Sequence, residues 1–560
     1  MSGGDPEHRE AMVDSRRLWI AAVVGAVTMF LVQPPADLWW AAWLAPLPWM
    51  AIVRWPRMAA AHPWRVLWGA GFIHWLLAIH WLRLPHPATS LGWVALSAYL
   101  ACYLPLFVWV ARTLVHRLGW PLIAAAPLAW VACEQLRSSL LGGFTFASLG
   151  HTQWRWTTLI QMADLFSTVG ISGLVMLVAA AVASRSVRQL AIAGGVMLVA
   201  LAYGSWRVAG EPAPTGKPLD VLLVQGSIDT ELKHEPGAEA DVAKHYDDLT
   251  IAGLAATPAD PPDLIVWPET MWRWSLLEID PDEVLPDSVV EQMLGAGASA
   301  DGDGSAADRQ RQCREALKQD RLAALAVYAR RYGTHWLVGV DKQEITPHAP
   351  AGARNFNCGL FLDAGGGVLG CYEKMFPVMF GEYVPLADQF PWLYSLTPLP
   401  AGLTAGTKPA AVAIAGRRVA VNICYETALP DAIRGMVRSL AQGGGRPDVL
   451  VNLTNDGWFW GSSELDMHLA AAIFRAIEVR TPLVIAANTG FSGWIDGSGR
   501  LLAKGPRRAT ATLRARVEPD GRPSPWLAWG SLPAWGCVAV AGGILSGVRW
   551  RDAKAARERA

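Results

Sequence analysis

Val421-Asn422-Ile423-Cys424-Tyr425-Glu426 is a run of β-forming residues that ends abruptly in a cysteine followed by polar and turn-forming residues. Helix-like sequence follows from about Leu429 to Leu440. A strand that stops at a cysteine, with a helix just beyond it, presents the side chain on a tight turn at the carboxyl end of a sheet. The pattern predicts that Cys424 is a nucleophile, although a lone cysteine is more often a small buried apolar residue.

Around this stretch, residues 218–515 alternate short β-rich runs with helical or irregular sequence, which is typical of an α/β domain. The sequence predicts strands at residues 220–224, 263–267, 336–341, 358–362, 368–372, 418–423, 449–453 and 483–487. It predicts helices at residues 238–254, 311–331 and 465–480. Residues 295–307, rich in Gly, Ala, Ser and Asp, are expected to form a surface insertion.

The composition of the whole chain is that of a membrane protein. Of its 560 residues, 52% are hydrophobic and 29 are tryptophan, and the mean hydropathy is +0.23, which is abnormal for a soluble enzyme of this size. Seven apolar runs, each close to the ~20 residues that cross a bilayer as a helix, precede the α/β domain, and an eighth follows it. The predicted spans are residues 18–32, 38–53, 66–82, 91–110, 121–136, 159–183, 190–206 and 526–548.

Basic residues in the short loops predict the orientation, because they concentrate on the cytoplasmic side of a membrane. They flank alternate ends of the spans, at Arg16, Arg17, Arg54, Arg57, Arg65, Arg112, Arg117, Arg185, Arg188 and in the tail after residue 548. Residues 1–17 and the basic tail 549–560 are therefore expected in the cytoplasm. Residues 18–210 form the expected seven-helix membrane domain of a cytoplasmic (inner) membrane protein, residues 211–520 a periplasmic catalytic domain, and residues 526–548 the eighth membrane helix.

Charge and cysteine content exclude other classes of function. Lysine plus arginine equals aspartate plus glutamate at 48 each, so net charge indicates no nucleic acid partner. The seven cysteines contain no CxxC pair and lie in no His-rich cluster, which argues against a metal site and against a dense disulfide framework. No cofactor is predicted.

Cys358 and Cys371 lie on either side of residues 364–367, and we expect a hairpin turning there to place them opposite each other. In an oxidising compartment the two thiols would either form a disulfide or stay free. The sequence leaves both alternatives open, and mass mapping under non-reducing conditions distinguishes them.

Two further strand-like runs end in ionisable residues. Glu269 closes the run 264–269 and Lys374 closes the run 370–374, so both side chains would emerge where α/β sheets place their sites. An unperturbed thiol, with a pKa of about 8.5, is mostly protonated near neutrality and needs a base and a nearby cation. Glu269 suits the base. Lys374 suits the group that stabilises the negative charge on an attacked acyl oxygen.

These residues resemble the nitrilase superfamily, whose Glu, Lys and Cys occur in this chain order in an αββα sandwich. With the predicted membrane spans, the chain looks like the apolipoprotein N-acyltransferase family over nearly its whole length. The resemblance implies an α/β fold in which the sandwich is inserted between the seventh and eighth helices of an all-α transmembrane bundle. Its most specific motifs are Trp267-Pro268-Glu269, Lys374 with Glu382 in Phe380-Gly381-Glu382-Tyr383-Val384-Pro385, Cys424-Tyr425-Glu426, and Asn455-Asp456-Gly457-Trp458-Phe459.

The resemblance also implies roles. The catalytic residues that it implies are Glu269, Lys374 and Cys424. The supporting residues that it implies are Glu382, Tyr425 and Glu426. An acyl chain would pass from a membrane phospholipid to the Cys424 thiol as a thioester, and then to the α-amine of a diacylated apolipoprotein. Because exposing acyl chains costs about 0.8 kcal/mol per CH₂, the thiol is expected at the surface of the lipid bilayer.

One position departs from the family. Members commonly carry a tryptophan about nine residues after the glutamine of the first strand, whereas here Gln225 leads to His234. His234 itself or a neighbouring tryptophan would then cover the site. The residues expected to contact substrate are His234, Trp272, Trp274, Phe380 and Trp458. The apolar and aromatic loops expected to face lipid are residues 271–277, 376–380, 390–399 and 458–460.

Two rival hypotheses use the same sequence. The first is a membrane-tethered amidase or nitrile hydrolase with the same triad and water as the acceptor, for which one anchoring span would suffice. The second is a transporter or structural membrane protein with an inactive extracytoplasmic domain, which would tolerate loss of the triad. All three triad residues are present.

Overall fold

The computed structural model describes residues 6–58, 60–212, 216–229, 237–294, 306–349, 352–387, 389–390, 392–393 and 402–558, with side chains from residue 15 onward. Residues 295–305, most of the expected surface insertion, lie outside this set. The first half is helical. Its helices are α1 (Pro6–Leu31), α2 (Leu47–Arg54), α3 (Pro63–Ala78), α4 (Thr89–Leu100), α5 (Tyr103–Arg112), α6 (Leu122–Ser139), α7 (Thr157–Ile160), α8 (Ala163–Ser184) and α9 (Val187–Ala209).

Within the described residues, four helices are long and apolar enough to cross a membrane: Thr89–Arg117, Ala163–Ser184, Val187–Ala209 and Leu532–Arg557. The second predicted span, residues 38–53, is divided into a 3-10 turn at Trp39–Trp43 and the eight-residue helix α2, which begins after Pro46. Eight helical residues rise only about 12 Å, less than half of the bilayer core. The total of eight spans therefore stays a prediction.

The second half contains twelve strands and their helices. The strands are β1 (Leu219–Gln225), β2 (Leu264–Ile279), β3 (His335–Ile345), β4 (Ala353–Leu362), β5 (Val368–Glu373), β6 (Ala411–Ile414), β7 (Arg417–Ile423), β8 (Val449–Thr454), β9 (Leu483–Ala487), β10 (Gly493–Ile495), β11 (Leu501–Lys504) and β12 (Ala511–Val517). The helices are α10 (Glu239–Ala255), α11 (Asp287–Leu294), α12 (Ala306–Tyr332), α13 (Pro430–Gln442), α14 (Glu464–Val479), α15 (Pro525–Trp529) and α16 (Leu532–Arg557).

The strands form two six-stranded sheets that pack face to face. Their orders are β12-β1-β2-β3-β4-β5 and β11-β10-β9-β8-β7-β6. A shared core joins inward residues of both sheets, such as Val266 and Val451. Gly359 on β4 permits the close approach of the first sheet to β7 of the second, because a Cβ at Gly359 would lie 3.2 Å from a methyl group of Val421. Helices α10 and α12 contact β2 of the first sheet, and α13 and α14 share the core of the second. The predicted αββα sandwich is confirmed.

Buried charges join the helical half to the sandwich. Asp164, in the first turn of α8, accepts a hydrogen bond from Arg480 Nε at 3.0 Å and pairs with Arg207 Nε at 2.7 Å. Glu478, the last residue but one of α14, pairs with Arg475 at 2.6 Å and accepts a hydrogen bond from the backbone N–H of Thr168 at 3.2 Å. We call this set the ionic seam.

We expect Asp164→Ala to lower the free energy of unfolding by about 3–5 kcal/mol, because it leaves buried guanidinium groups without their carboxylate. Thermal unfolding in detergent, followed by circular dichroism, measures the change. Asp552→Ala is the matched control, since the Arg117–Asp552 pair at 2.9 Å is exposed and contributes at most about 1 kcal/mol. Equal melting temperatures for the two variants would contradict the expectation.

Candidate active site

Cys424 lies on a strained turn at the end of β7. The strand ends at Ile423, a 3-10 turn covers Cys424–Ala428, and α13 begins at Pro430, as the sequence predicts. The φ angle of Cys424 is +51°, which costs a non-glycine residue about 1–2 kcal/mol. Such strain persists only where surrounding contacts hold it, and it is typical of active sites. The Cys424 side chain is half-buried.

Lys374 joins two carboxylates. Its ammonium donates to Glu382 Oε1 at 2.6 Å and to Glu269 Oε1 at 3.4 Å. The Lys374 side chain is buried, as are the carboxylate of Glu269 and most of Glu382. The second oxygen of Glu382 accepts from the backbone N–H of Val378 at 2.7 Å, which fixes the loop that follows Lys374. The structure therefore brings together three of the predicted site residues.

Glu269 is held in place from both sheets. Asn357 on β4 donates its Nδ2 to Glu269 Oε1 at 2.6 Å. The backbone N–H of Asn455, directly after β8, donates to Glu269 Oε2 at 2.9 Å. Because β8 pairs with β7, this contact ties Glu269 to the strand that ends at Cys424. These two contacts hold the carboxyl group of Glu269 in one orientation.

The charges of the site act on one another. Burial, and after it the negative charge of Glu269, raises the pKa of the Cys424 thiol well above its usual value, and Lys374 opposes this only in part. Burial also disfavours the ammonium of Lys374, but Glu382, Glu269 and Cys424 outweigh burial and hold its pKa well above the usual value. The resting site therefore holds a neutral thiol and an ammonium.

Glu426 organises the loop that carries Lys374. Its Oε1 accepts from the backbone N–H groups of Met375 at 2.7 Å and Phe376 at 3.0 Å. Its Oε2 accepts from the N–H of Ile423 at 2.7 Å, and the Tyr372 hydroxyl donates to both oxygens at 2.8 and 2.9 Å. One buried carboxylate thus holds the segment before Cys424 against both flanks of Lys374.

Tyr425 points the other way, toward the helical half. Its hydroxyl donates to the carbonyl of Gly143 at 2.8 Å, and its ring packs on Phe146 with centroids 5.8 Å apart. Nearby, Phe459 packs on Trp81 at 5.0 Å. The turn that carries Cys424 is therefore in direct contact with the helical half.

The residues expected to contact substrate differ in their exposure to solvent. Phe380 is 55% exposed, and Trp458 is half-buried in the 3-10 turn after β8. Trp272 is only 1% exposed, because it packs with Trp336 on the outer face of the first sheet, and Trp274 packs on it. A substrate cannot contact Trp272 without opening this core, so the structure corrects that expectation. His234 lies outside the described residues.

Cys358 and Cys371 are free thiols in the structure. They are not directly opposite each other, contrary to the expectation from sequence, since Cys358 faces Glu373 and Cys371 faces Leu360. Cys358 lies six residues before residue 364, but Cys371 lies only four residues after residue 367, so a turn centred on residues 364–367 pairs Cys358 with Glu373. The prediction of direct pairing is wrong for this reason. The two side chains are nevertheless in contact across the strands, and the disulfide stays a prediction.

Three residues of the site were not found from sequence. Asn357 orients Glu269, Tyr372 binds Glu426, and His468 contacts the carbonyl of Cys424 at 3.2 Å. Amides and tyrosines in strands are common, so a single sequence gives no signal for the first two. His468 lies nine residues after the motif 455–459, and this short separation was the one sequence signal that could have placed His468 near the site.

Both halves of the chain match known protein families. The family model described as apolipoprotein N-acyltransferase N-terminal domain matches residues 25–181, and the carbon-nitrogen hydrolase model matches residues 223–522. An apolipoprotein N-acyltransferase of Rhodopirellula baltica is 29% identical over 95% of this chain and 97% of its own length. One of Geobacter metallireducens is 30% identical over 94% of both chains.

Among solved structures, an amidase mutant from Nesterenkonia sp. AN1 aligns with 56% of this chain and 97% of its own, at 16% identity and a TM-score of 0.34. The sequence matches span both halves of the chain and nearly the full length of the relatives. The chain therefore belongs to the apolipoprotein N-acyltransferase family and is an acyltransferase of the carbon-nitrogen hydrolase superfamily.

Proposed function

We propose that the chain transfers an acyl chain from a membrane phospholipid, through a thioester on Cys424, to the N-terminal α-amine of a diacylglyceryl-cysteine lipoprotein. The observation that carries the proposal is the turn at Cys424. Cys424 faces the cluster of Glu269 and Lys374, and the next residue, Tyr425, packs on the apolar helical half. A nucleophile in that place meets acyl chains that never leave the membrane surface.

In the first half-reaction, Cys424 Sγ attacks the ester carbonyl of the phospholipid. The thiol is neutral at rest, so Glu269 takes its proton as the C–S bond forms. The buried ammonium of Lys374 stabilises the negative charge on the attacked oxygen. The ester C–O bond then breaks, and Glu269 returns the proton to the glycerol oxygen of the departing lysophospholipid.

In the second half-reaction, the α-amine of the lipoprotein attacks the thioester. Glu269 accepts a proton from the nitrogen as the C–N bond forms, and this proton returns to Sγ when the C–S bond breaks. Glu382 keeps Lys374 in place throughout, because it supplies the shorter of the two carboxylate contacts. The exposed aromatic side chains Phe376, Phe380 and Trp460 would hold water away from the thioester.

Four apolar helices and the family together indicate an inner-membrane protein. We further propose the arrangement that the sequence predicts, with eight spans, both termini in the cytoplasm and residues 211–520 in the periplasm. The contact of Tyr425 with Gly143 supports it, because Gly143 follows α6 at the end where the sequence predicts the outer surface.

The direct test incubates the purified protein in detergent with a phospholipid and a synthetic diacylated lipopeptide. Mass spectrometry should find a triacylated peptide, a lysophospholipid and, without the peptide, an acyl adduct on Cys424. The amidase hypothesis predicts release of fatty acid or ammonia and no acylated peptide. That result would refute acyl transfer.

Glu426→Gln should slow acylation of Cys424 about 10- to 100-fold. The amide replaces one accepting oxygen by a donor. Either the contacts to the N–H groups of Met375 and Phe376 after Lys374, or the contact to the N–H of Ile423 before Cys424, are then lost, and each charged hydrogen bond is worth about 1.5–3 kcal/mol. Single-turnover acylation measures the rate. Tyr372→Phe is the control, because it removes one donor and leaves the carboxylate's three backbone contacts. Equal rates in the two variants would contradict the positioning role of Glu426.

A further inference from the structure

Three ionisable side chains lie together on the α14 side of Cys424. Asp456 follows β8, and Glu464 and His468 lie on α14. Their donor atoms are all within 4.8 Å of one another, and the residues are only 2%, 3% and 3% exposed. The mechanism above uses none of them.

His468 links this cluster to the nucleophile. Its Nδ1 lies 3.3 Å from Asp456 Oδ1, and its Nε2 lies 3.2 Å from the carbonyl oxygen of Cys424. A carboxylate and a carbonyl both accept hydrogen bonds, so the ring satisfies both contacts only when both nitrogens carry protons. The geometry therefore requires an imidazolium at this position. Asn452 Nδ2 is the second donor to the same carbonyl, also at 3.2 Å.

The charges of the cluster balance if Glu464 is protonated. No hydrogen-bond partner is found for Glu464 Oε2 among the described residues. Burial, and then the charge of Asp456, raises the pKa of Glu464 well above its usual value. Burial disfavours the imidazolium of His468, but Asp456, the Cys424 carbonyl and Glu269 outweigh it and raise its pKa. One imidazolium then offsets one carboxylate.

Asp456 also acts on Cys424. Its negative charge is among the causes that raise the pKa of the thiol, after burial and Glu269. The titratable groups that face His468 are Asp456 from the turn after β8, Glu269 from β2, Cys424 from the turn after β7 and Glu464 from its own helix. Phe146 from the helical half contacts the ring edge-on and carries no charge.

We propose that His468 is a positioning residue for Cys424. As an imidazolium it bridges Asp456 and the Cys424 carbonyl, holds the peptide of the strained turn, and offsets the Asp456 charge that would otherwise oppose thiolate formation. The proposal deepens the proposed function and rests on it for its catalytic meaning. Its test uses thiol chemistry alone, so a failure of lipid transfer and a failure of this inference are distinguishable.

The experiment measures the rate of iodoacetamide modification of Cys424 in the full-length protein in detergent, as a function of pH, by peptide mass spectrometry. His468→Gln keeps a side-chain donor and removes the positive charge. We expect its alkylation at pH 8 to be about tenfold slower, because the midpoint moves upward by about one pH unit, and one unit is a factor of ten in thiolate. A purely structural role would lower the whole curve without moving its midpoint.

Two further variants complete the test. The double variant Asp456→Asn with His468→Gln removes both charges, so its midpoint should return to that of the unmodified protein. Glu464→Gln should superimpose on the unmodified protein, because the residue already carries a proton. An unmoved midpoint in His468→Gln would overturn the proposal. So would a stoichiometric divalent metal in the purified protein that Glu464→Gln loses, since a metal ion would then link the three side chains.

Discussion

Cys424→Ala should leave no transfer of an acyl chain to a diacylated lipopeptide and no acyl adduct on the protein. The thiol is the atom to which the acyl chain is attached in the proposed reaction, so its loss removes both half-reactions and costs at least about 10⁴-fold in rate. Alanine tolerates the φ of +51° no worse than cysteine does, so the fold should survive. Intact-mass spectrometry of the protein and chromatography of the lipopeptide measure the two losses.

Cys102→Ala is the matched control for that experiment, because Cys102 is an exposed cysteine between α4 and α5, in the helical half. It should retain full transfer and the same acyl adduct. If the Cys424 variant still forms triacylated peptide, another nucleophile carries the acyl chain and the proposed mechanism is wrong.

Glu269→Gln should slow acylation of Cys424 by about 10³-fold, within the 10²- to 10⁴-fold range that general base catalysis contributes. The amide cannot accept the thiol proton, while the raised pKa of Cys424 leaves few molecules with a thiolate already formed. Asn357 can still donate to the remaining oxygen, so the loss reports on chemistry more than on structure. Single-turnover acylation with a labelled phospholipid provides the rate.

Glu382→Gln separates the base from a residue that only holds Lys374. Glu382 contacts Lys374 at 2.6 Å, closer than Glu269 does at 3.4 Å, but it is not assigned the thiol proton. We expect a loss below about 10²-fold, equivalent to one charged hydrogen bond of about 1.5–3 kcal/mol. A larger loss in Glu382→Gln than in Glu269→Gln would mean that the two carboxylates exchange roles.

Local patterns predicted the centre of the fold well. The run that ends at Cys424 was expected to be a strand, a turn and a helix, and β7, the 3-10 turn and α13 have these positions. Strand-ending Glu269 and Lys374 were expected near each other, and they are in contact. These signals are local, because strand propensity and turn chemistry depend on a few neighbouring residues.

What the sequence could not give depends on contacts between distant segments. Strand β2 continues to Ile279, so Trp272 belongs to a core beneath α12, and an aromatic-rich loop looks the same in sequence as an aromatic-rich strand. Strand β12 was missed because its alternating arginines resemble a polar loop. Asn357 and His468 act through partners 88 and 44 residues away, and no local pattern records such pairings.

The ionic seam has a consequence for protein engineering. If the sandwich were excised as a soluble enzyme, Arg475, Glu478 and Arg480 would lose the groups of α8 that neutralise or cover them. Chimeras that join the helices of one relative to the sandwich of another would meet the same problem unless both sides of the seam came from one parent. The two halves should therefore be inherited and exchanged together, as one cooperative unit.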